Sequence, residues 1–535
     1  MPLVADLPER LPVVIAGGGP VGLALAMELE HHGVSSVVIE PREEVSWLRP
    51  RAKTTSTRSM EHFRRWGLAG TLRERAPLPV SWSDEAVFCT GLSGREITRF
   101  SGCLGLDLTG SDLAAEPGQQ VPQPLVEEVL REAVGPRLVL GGRVVAVEPA
   151  DEGVVVEIAD QAGALKRVHA AYVVGCEGGR SVVRNAMGGR YVGVDTSRPN
   201  LSIVFRSPEL AGLVPFGPAV HYWVLNPDQP GLVGRLDLDD TWWCIAQGVD
   251  AAVTPLSPTQ LVHNIIGTEV PVEILSTDAW RARMLLADRY GRGRMFIAGD
   301  SAHQNPPWGG HGFNTGIGDA VNLGWKLAAV INGWAPESLL DSYEAERRPV
   351  AAQTIEEAAR NMSTLAPELS DPRLTGTDEQ FELALPGVAA AVQASKHREF
   401  HSLPLTLGYH YADSPIVVTD DGEKAADGPQ DDLYRPSAAP GHRLPHRWLA
   451  PGESLYDRLG REFTLAGDLS APAAAAIVRA AEAEGVPLTT LDLRGDDWTE
   501  LLGGALVLVR PDQHVAWRGD RADDPVAVVR RAVGF

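Results

Sequence analysis

Four cysteines in 535 residues, Cys89, Cys103, Cys176 and Cys244, stand far apart and form no CxxC pair. That spacing argues against a zinc module and a secreted disulfide scaffold. Positive charge is also short: 48 Lys and Arg against 70 Asp and Glu leave a net charge of −22 at pH 7. The acidic residues are scattered and not gathered into a tail, so neither a nucleic-acid backbone nor an anionic membrane surface is an expected partner. No apolar run approaches the roughly 18 residues of a membrane span, and no basic segment followed by an apolar stretch opens the chain. These absences predict a cytoplasmic protein. What is present is ordinary globular composition, 44% hydrophobic and 22% charged, and the length predicts about three domains.

Leu11 to Ala16 (LPVVIA) is a continuous apolar run with β-branched residues, the pattern of a strand buried on both faces of a parallel sheet. GGGPVG follows at once. Gly17, Gly19 and Gly22 fit the G-x-G-x-x-G spacing, with Pro20 inside it, and an apolar-rich helix is predicted to continue to His32. Each glycine has its own reason: Gly17 permits a tight turn, Gly19 lets backbone approach a pyrophosphate, and Gly22 lets helix and strand pack closely. The unpaired amides and positive dipole end of the helix favour phosphate. A second apolar run, SVVIE, ends at Glu40, 18 positions after Gly22, where a carboxylate can accept hydrogen bonds from a ribose diol. Arg42 is placed beside the same cofactor. The order predicts a dinucleotide site, without separating NAD from FAD.

Residues 293–327 read GRMFIAGDSAHQNPPWGGHGFNTGIGDAVNLGWKL: an apolar strand ends in Asp300, and a glycine-rich loop leads into a helix. This block resembles the FAD-dependent aromatic hydroxylases, the single-component flavin monooxygenases that include para-hydroxybenzoate, phenol and polyketide hydroxylases. The resemblance implies FAD and places Asp300 on a ribityl hydroxyl, as suits a carboxylate at the C-terminal end of a strand. It places the loop from Pro306 to Asn314 along the isoalloxazine, with Gly310, Gly312, Phe313 and Asn314 at the flavin and backbone N–H groups toward its pyrimidine side. Donors at a helix N-terminus there stabilise the anionic reduced ring. The Pro307 carbonyl is assigned to the oxygen-transfer step. His311, where the family usually has Lys, Gln, Leu or Phe, is either a titratable group beside the flavin or a solvent-facing loop histidine.

YVVGCEGGRSVVR (172–184) resembles the family's Asp-Gly motif, associated with FAD and the nicotinamide cofactor, with Glu177 at the acidic position. Glu177 is assigned to the cofactor, the alternative being that it only holds local backbone or Arg180. Arg51 in RPRA is placed on the FAD phosphate or ribose side, where a guanidinium offers a permanently charged donor fork. Gln123 in VPQPLVEEVL is placed beside the flavin or its ribityl chain.

Because these motifs are dispersed, the FAD-binding domain is expected to be discontinuous, over 1–80, 106–190 and 286–400. Alternating stretches such as AVHYWVL and DTWWCIAQG predict an antiparallel sheet over 191–285, joined by 81–105, as the substrate domain. Trp223, Trp242 and Trp243 either line a pocket or fill its core. Residues 401–436 read as a linker. Residues 437–535 resemble the thioredoxin-like C-terminal domain of the phenol and polyketide hydroxylases. With no cysteine after Cys244 that unit lacks the thiolate exchange requires, and it is expected to be structural or a subunit contact.

The expected fold is therefore α/β: a Rossmann-like FAD-binding domain with an inserted antiparallel β-sheet substrate domain and a C-terminal thioredoxin-like domain. The expected function is an FAD-dependent monooxygenase that takes NADPH or NADH and O2 and, through a flavin hydroperoxide, hydroxylates an electron-rich small aromatic: a phenol, hydroxypyridine or polyketide-derived ring. His221 and Arg235, with Tyr222 and Asp237 near them, are candidates to polarise a phenol. No metal is expected, and a homo-oligomer is. The alternatives are a Baeyer–Villiger-type oxygenase on the same scaffold and a flavin-binding protein without turnover. The W-x-W-x-I-P segment of a flavin halogenase is missing.

Overall fold

The structure, a computed structural model, describes residues 3–363, 369–419 and 433–535. Its first sheet is built around Arg10–Ala16, whose Val13 to Ala16 are fully buried, as a strand covered on both faces requires. This strand pairs in parallel with Ser36–Glu40 on one side and Leu165–Gly175 on the other. Leu138–Leu140 and Met295–Ile297 extend the parallel set outward. Five parallel strands from dispersed parts of the sequence thus bring their ends to one crevice, where open α/β sheets bind ligands.

The second sheet runs 303–304, 273–287, 191–206, 241–247, 231–235, 221–224, 86–89, 96–100. It is not wholly antiparallel, as expected from sequence, because Ala86–Cys89 pairs in parallel with His221–Val224. Those two strands enter side by side, joined at their start by Val220 N–H donating to the Glu85 carbonyl at 2.8 Å. The edge strand His303–Gln304 comes from the GDSAH motif and pairs with Leu285 and Leu286, which ties this sheet to the nucleotide half. Register puts His221, Trp223, Gly234, Trp243 and Ile245 on one face and Tyr222, Val233, Arg235, Trp242 and Cys244 on the other. The second face is covered by the helix Pro258–Ile266, through Leu261, Val262, Ile265 and Ile266.

At the C-terminal end, Phe463–Gly467 pairs in parallel with Leu488–Asp492 and antiparallel with Leu506–Val509, to which Val515–Gly519 is added. The helix Pro472–Glu484 makes the crossover, burying Ala473, Ile477 and Ala481 with Val528 and Val529 of the last helix. This is the thioredoxin-like arrangement. Its core is shared with Trp325 and Leu339 of the nucleotide half. The stretch read as a linker (401–436) is packed as far as it is described up to 419: Tyr411, Ile416 and Val417 are buried, since apolar side chains this close to the core gain by leaving water. The rest of the linker up to 432 lies outside the described residues. Among the described residues no helix is long and apolar enough to cross a membrane, and no group of three or more metal-ligating side chains is assembled.

Candidate cofactor and substrate site

The three glycines do three different jobs. Gly17 has φ +103, and a Cβ there would lie 2.5 Å from the Cys176 carbonyl oxygen; a Cβ on Gly22 would lie 2.0 Å from the Gly17 carbonyl oxygen. Both positions exclude a side chain, the first for the turn and the second for the close approach of helix to strand. Gly19 is different: a Cβ there would meet nothing within 4 Å. It caps the helix Pro20–His31 with Pro20 in the first turn, so open space lies beside amides that have no intrahelical acceptor.

Along the rim, side chains from separate segments form one chain of hydrogen bonds. The buried Glu40 carboxylate accepts from Gly18 N–H at 2.7 Å and from Arg42 N–H and Nε at 2.9 and 2.7 Å. Arg42 continues to Glu127 at 3.1 Å, and Gln123 Nε2 donates to the same carboxylate at 2.8 Å. Gln123 also exchanges bonds with Ala52, N–H to carbonyl at 2.9 Å and back to Oε1 at 3.4 Å. Arg51 stands exposed beside this link.

Across the crevice, Asp300 follows Met295–Ile297 on a turn whose Gly299 has φ +60. The Asp300 side chain opens into the crevice with no hydrogen-bond partner among the described residues. Crowding by protein raises its carboxyl, against the lowering pull of His303 and Arg51. The turn is braced from behind: Tyr191 O–H donates to the Asp300 carbonyl, and Arg184, lying 3.9 Å over the Tyr191 ring, donates to the Ser301 carbonyl at 3.0 Å. The loop then reaches Gly310, φ +70, which caps the long helix His311–Ile331. Asn314 spends its side chain locally, accepting from Ser56 N–H and Ser59 O–H at 2.8 Å and donating to the Thr54 and Gly310 carbonyls at 3.1 and 2.9 Å. It pins the 54–59 segment to the start of this helix, whose first amides, at His311, Gly312 and Phe313, lack intrahelical acceptors.

One end of the crevice therefore suits a pyrophosphate and a ribose, and the other offers a free carboxylate and a helix N-terminus. Residues 10–358 match the FAD binding domain family, and residues 437–534 match the aromatic-ring hydroxylase C-terminal family. The chain belongs to the FAD-dependent aromatic-ring monooxygenases. It is 34% identical to 4-methyl-5-nitrocatechol 5-monooxygenase of Burkholderia sp., over 99% of this chain and 98% of that one. Among solved structures it resembles chromopyrrolic acid-soaked RebC with bound 7-carboxy-K252c, at TM-score 0.91 and 35% identity over 99% of this chain and 100% of the other. It also resembles the flavin-dependent monooxygenase PieE in complex with FAD and substrate, at TM-score 0.87 and 30% identity over 98% and 97% of the two chains.

For a flavin monooxygenase, several residues singled out from sequence stand elsewhere than expected. The Glu177 carboxylate is consumed by its own loop, accepting from Val182 N–H at 3.0 Å, Val183 N–H at 3.2 Å and Ser181 O–H at 2.6 Å, at the start of the short helix Val182–Ala186. These bonds match the alternative in which Glu177 holds local backbone, and the Glu177 backbone approaches the Gly17 turn. Arg235 lies on the sheet face away from Trp243, and its guanidinium donates to the Asp237 and Asp239 carbonyls at 2.9 and 2.7 Å. There it holds a hairpin turn. The Pro307 carbonyl is not free, since Gly310 N–H donates to it at 3.0 Å; one lone pair remains. His311 is neither solvent-facing nor a neutral-pH titrating group: it is buried, its Nε2 has no partner among the described residues, and burial pulls it down to about 4.

His221 lies on the same sheet face as Trp243. Its ring meets Trp243 edge-on at 5.6 Å, and burial, with Lys53 nearby, pulls it down to about 3, too weak a base to deprotonate a phenol. Of the three tryptophans, Trp242 packs toward the Pro258–Ile266 helix, Trp223 stacks on Phe88 at 5.5 Å beneath Phe400, and Trp243 lies buried on the opposite face from Trp242, with Val204, Ile245 and Trp280. Trp280 and Trp308, 5.5 Å apart, continue that wall from the sheet to the loop before His311.

Reading the sequence missed Lys53, whose Nζ lies 4.3 Å over the Trp243 ring; its context, RPRAKTT, reads as a basic loop. It also missed the buried group behind Asp300. His303 Nε2 meets Asp319 at 2.9 Å, Arg347 donates to Asp319 at 2.8 Å, and Asp319 accepts from Gly299 N–H at 3.1 Å. Burial opposes charge on both His303 and Asp319, but their mutual attraction raises the histidine and lowers the aspartate. The GDSAH and D-A segments contained both residues, so spacing to Asp300 was the available signal.

Proposed function

We propose that this monooxygenase hydroxylates a phenolic or polyketide-derived ring, using NADPH or NADH as the reductant. FAD, when bound and reduced, supplies the reaction with O2. The chain's own residues hold that cofactor and shape the space above it. Gly17, Gly19, Gly22 and the amides at the start of Pro20–His31 receive the pyrophosphate. Glu40, with Arg42, Arg51 and Gln123 around it, faces the ribose and phosphate side, and Asp300 accepts from a ribityl hydroxyl. The first amides of His311–Ile331 stabilise negative charge on the ring that lies against Gly310, Gly312 and Phe313. Trp243, Trp280 and Trp308 exclude water from the reacting centre and offer flat surfaces to an aromatic substrate.

The observation that carries this reading is the row of Trp243, Trp280 and Trp308, which runs from the sheet to the loop leading into the helix His311–Ile331, an arrangement that fits a planar substrate stacked near a planar cofactor. The nitrocatechol monooxygenase among the relatives acts on a phenolic ring, which supports the same class here. A Baeyer–Villiger reaction has no such support. The net charge of −22 supports a protein that acts without nucleic acid, and the absence of a membrane-crossing helix among the described residues agrees with a cytoplasmic place. A homo-oligomer remains part of the reading and is checked by light scattering. The test is direct: purified protein is assayed for bound FAD, then mixed anaerobically with NADPH or NADH and a panel of phenols and polyketide rings. Flavin bleaching that accelerates with one ring type, and a product carrying one added oxygen, is the expected result. Bleaching that no ring accelerates would refute it.

A further inference from the structure

We propose that Lys53 binds the ionised ring oxygen of the aromatic substrate. This deepens the hydroxylase reading and rests on it. The backbone that carries Lys53 is fixed on both sides: Ala52 is tied to Gln123, the Lys53 carbonyl accepts from Val121 N–H at 2.8 Å, and the Thr54 carbonyl accepts from Asn314. From there the side chain crosses to the second sheet and ends over Trp243, with His221 beside the same ring. The lysine therefore spans the gap between the cofactor half and the aromatic wall.

What singles it out is the missing anion. Lys53 is half-buried, and the two buried lysines each grip a carboxylate, Lys326 on Glu346 at 2.6 Å and Lys396 on Glu399 at 2.7 Å. Among the described residues the Lys53 ammonium has no hydrogen bond and no ion pair. Facing it are Trp243, the neutral His221 and, through the sheet, Cys244, whose thiol burial pushes up to about 12 and so keeps protonated; Arg51, two residues away, adds positive charge. Burial lowers the ammonium to about 8, which leaves it charged at neutral pH. The indole face compensates only part of a desolvated charge. A half-buried ammonium without a counter-ion favours a ligand that brings one.

On a phenol that ligand is the phenolate. A neighbouring cation favours the ionised form, the proton leaves to bulk water, and the ring becomes more electron-rich, as attack on an electrophilic oxygen requires. His221 is too weak a base to take that proton, and among the described residues no carboxylate stands near to do it. A ring carboxylate offers similar oxygens, so the test must tell the two apart.

The FAD-loaded enzyme and its K53M and K53R variants are titrated with 4-nitrocatechol and alizarin, with their O-methyl ethers, and with 2-naphthoate. Calorimetry gives affinity and absorbance gives the ionisation state of the bound phenol. Expected is a phenolate band in the wild-type complex at a pH where the free phenol is protonated. K53M should lose that band and about tenfold or more in phenol affinity, K53R should restore part of both, and the ethers should bind all three proteins alike. Three results overturn the proposal: no bound phenolate band in the wild type, K53M matching the wild type, or Lys53 dependence for 2-naphthoate alone. A changed flavin spectrum in K53M with unchanged ring affinity also overturns it, by giving the charge to the cofactor. The hydroxylase reading fails separately, if the wild type carries no FAD or no ring speeds NAD(P)H oxidation.

Discussion

Replacing Glu346 by Gln should loosen the C-terminal unit and, through it, the FAD site. Glu346 sits fully buried on the helix Asp341–Ser363 and accepts from Arg510 at 2.6 and 2.8 Å, Lys326 at 2.6 Å, Asn322 at 2.7 Å and Ser414 at 2.6 Å. Arg510 belongs to the thioredoxin-like unit and Lys326 to the helix that begins at the flavin loop, so one carboxylate joins the two. Removing one partner of a buried ion pair costs about 3–5 kcal/mol. Here the lower figure, about 3 kcal/mol, is expected, because Arg510 keeps Asp512 at 2.7 Å and Lys326 keeps the Asn322 side-chain oxygen at 2.8 Å. On a cooperative unit of domain size that is a fall in Tm on the order of 10 °C. The pH dependence has a definite sign. Burial opposes the Glu346 charge, but Arg510 and Lys326 overcome it and lower the group from 4.5 to about 2. A lowered carboxyl contributes stability above its unfolded value and loses it as pH falls from 4.5 toward 2. The wild type should therefore lose its advantage over E346Q in that window, measured by thermal unfolding of the FAD-bound protein at stepped pH. Asn322 also lies 3.3 Å from the Tyr411 hydroxyl, which lies 3.5 Å from Arg347, the partner of Asp319 behind the Asp300 turn. FAD should dissociate more readily from E346Q. The exposed E356Q, which breaks a surface pair with Arg360, should change stability by less than about 0.5 kcal/mol. An E346Q protein within about 1 kcal/mol of wild type, or an advantage independent of pH, would refute the reasoning.

Three further substitutions separate folding from cofactor binding. G19A should fold with nearly wild-type Tm, because a Cβ there meets nothing, yet purify with little FAD, because the methyl occupies the phosphate approach; G17A should lose both, as its φ of +103 and the Cys176 carbonyl leave no room. D300N should weaken FAD by roughly tenfold in a fluorescence titration while sparing apoprotein stability, since among the described residues its carboxylate has no hydrogen-bond partner. E177A should lower Tm, with about 1–3 kcal/mol lost when three donors go unmatched, and leave the KM for NADPH and NADH unchanged among molecules that fold. A large KM effect with intact stability would return Glu177 to the cofactor.

Which residues were legible follows from how far apart their partners lie in sequence. The glycine turn could be read because strand, turn and helix are contiguous, and steric need at Gly17 and Gly22 is met by atoms that the motif itself supplies or that the next parallel strand must supply. Asp300 could be read for a similar reason: a carboxylate at a strand end, before a loop and a helix. Glu177 looked the same on the page and behaves differently. Its donors lie four, five and six residues ahead, and a local cap competes with a cofactor for the same oxygens; only the path of the loop decides between them. Arg235 failed on parity. Its strand alternates like its neighbours, but nothing in the sequence says which parity faces the crevice until Gly234 is seen opposite Trp243, where a Cβ would lie 2.7 Å from the indole. That same glycine makes the room for Trp243 to lie against the sheet. Lys53 is the converse case, a residue whose meaning comes from a ring 190 positions away and from a carboxylate that is not there. Sequence pattern records the contacts a segment makes with itself and with its sheet partners. The substrate side of this enzyme is built from contacts between segments, so its chemistry comes into view only when Lys53, His221 and Trp243 are brought to one place.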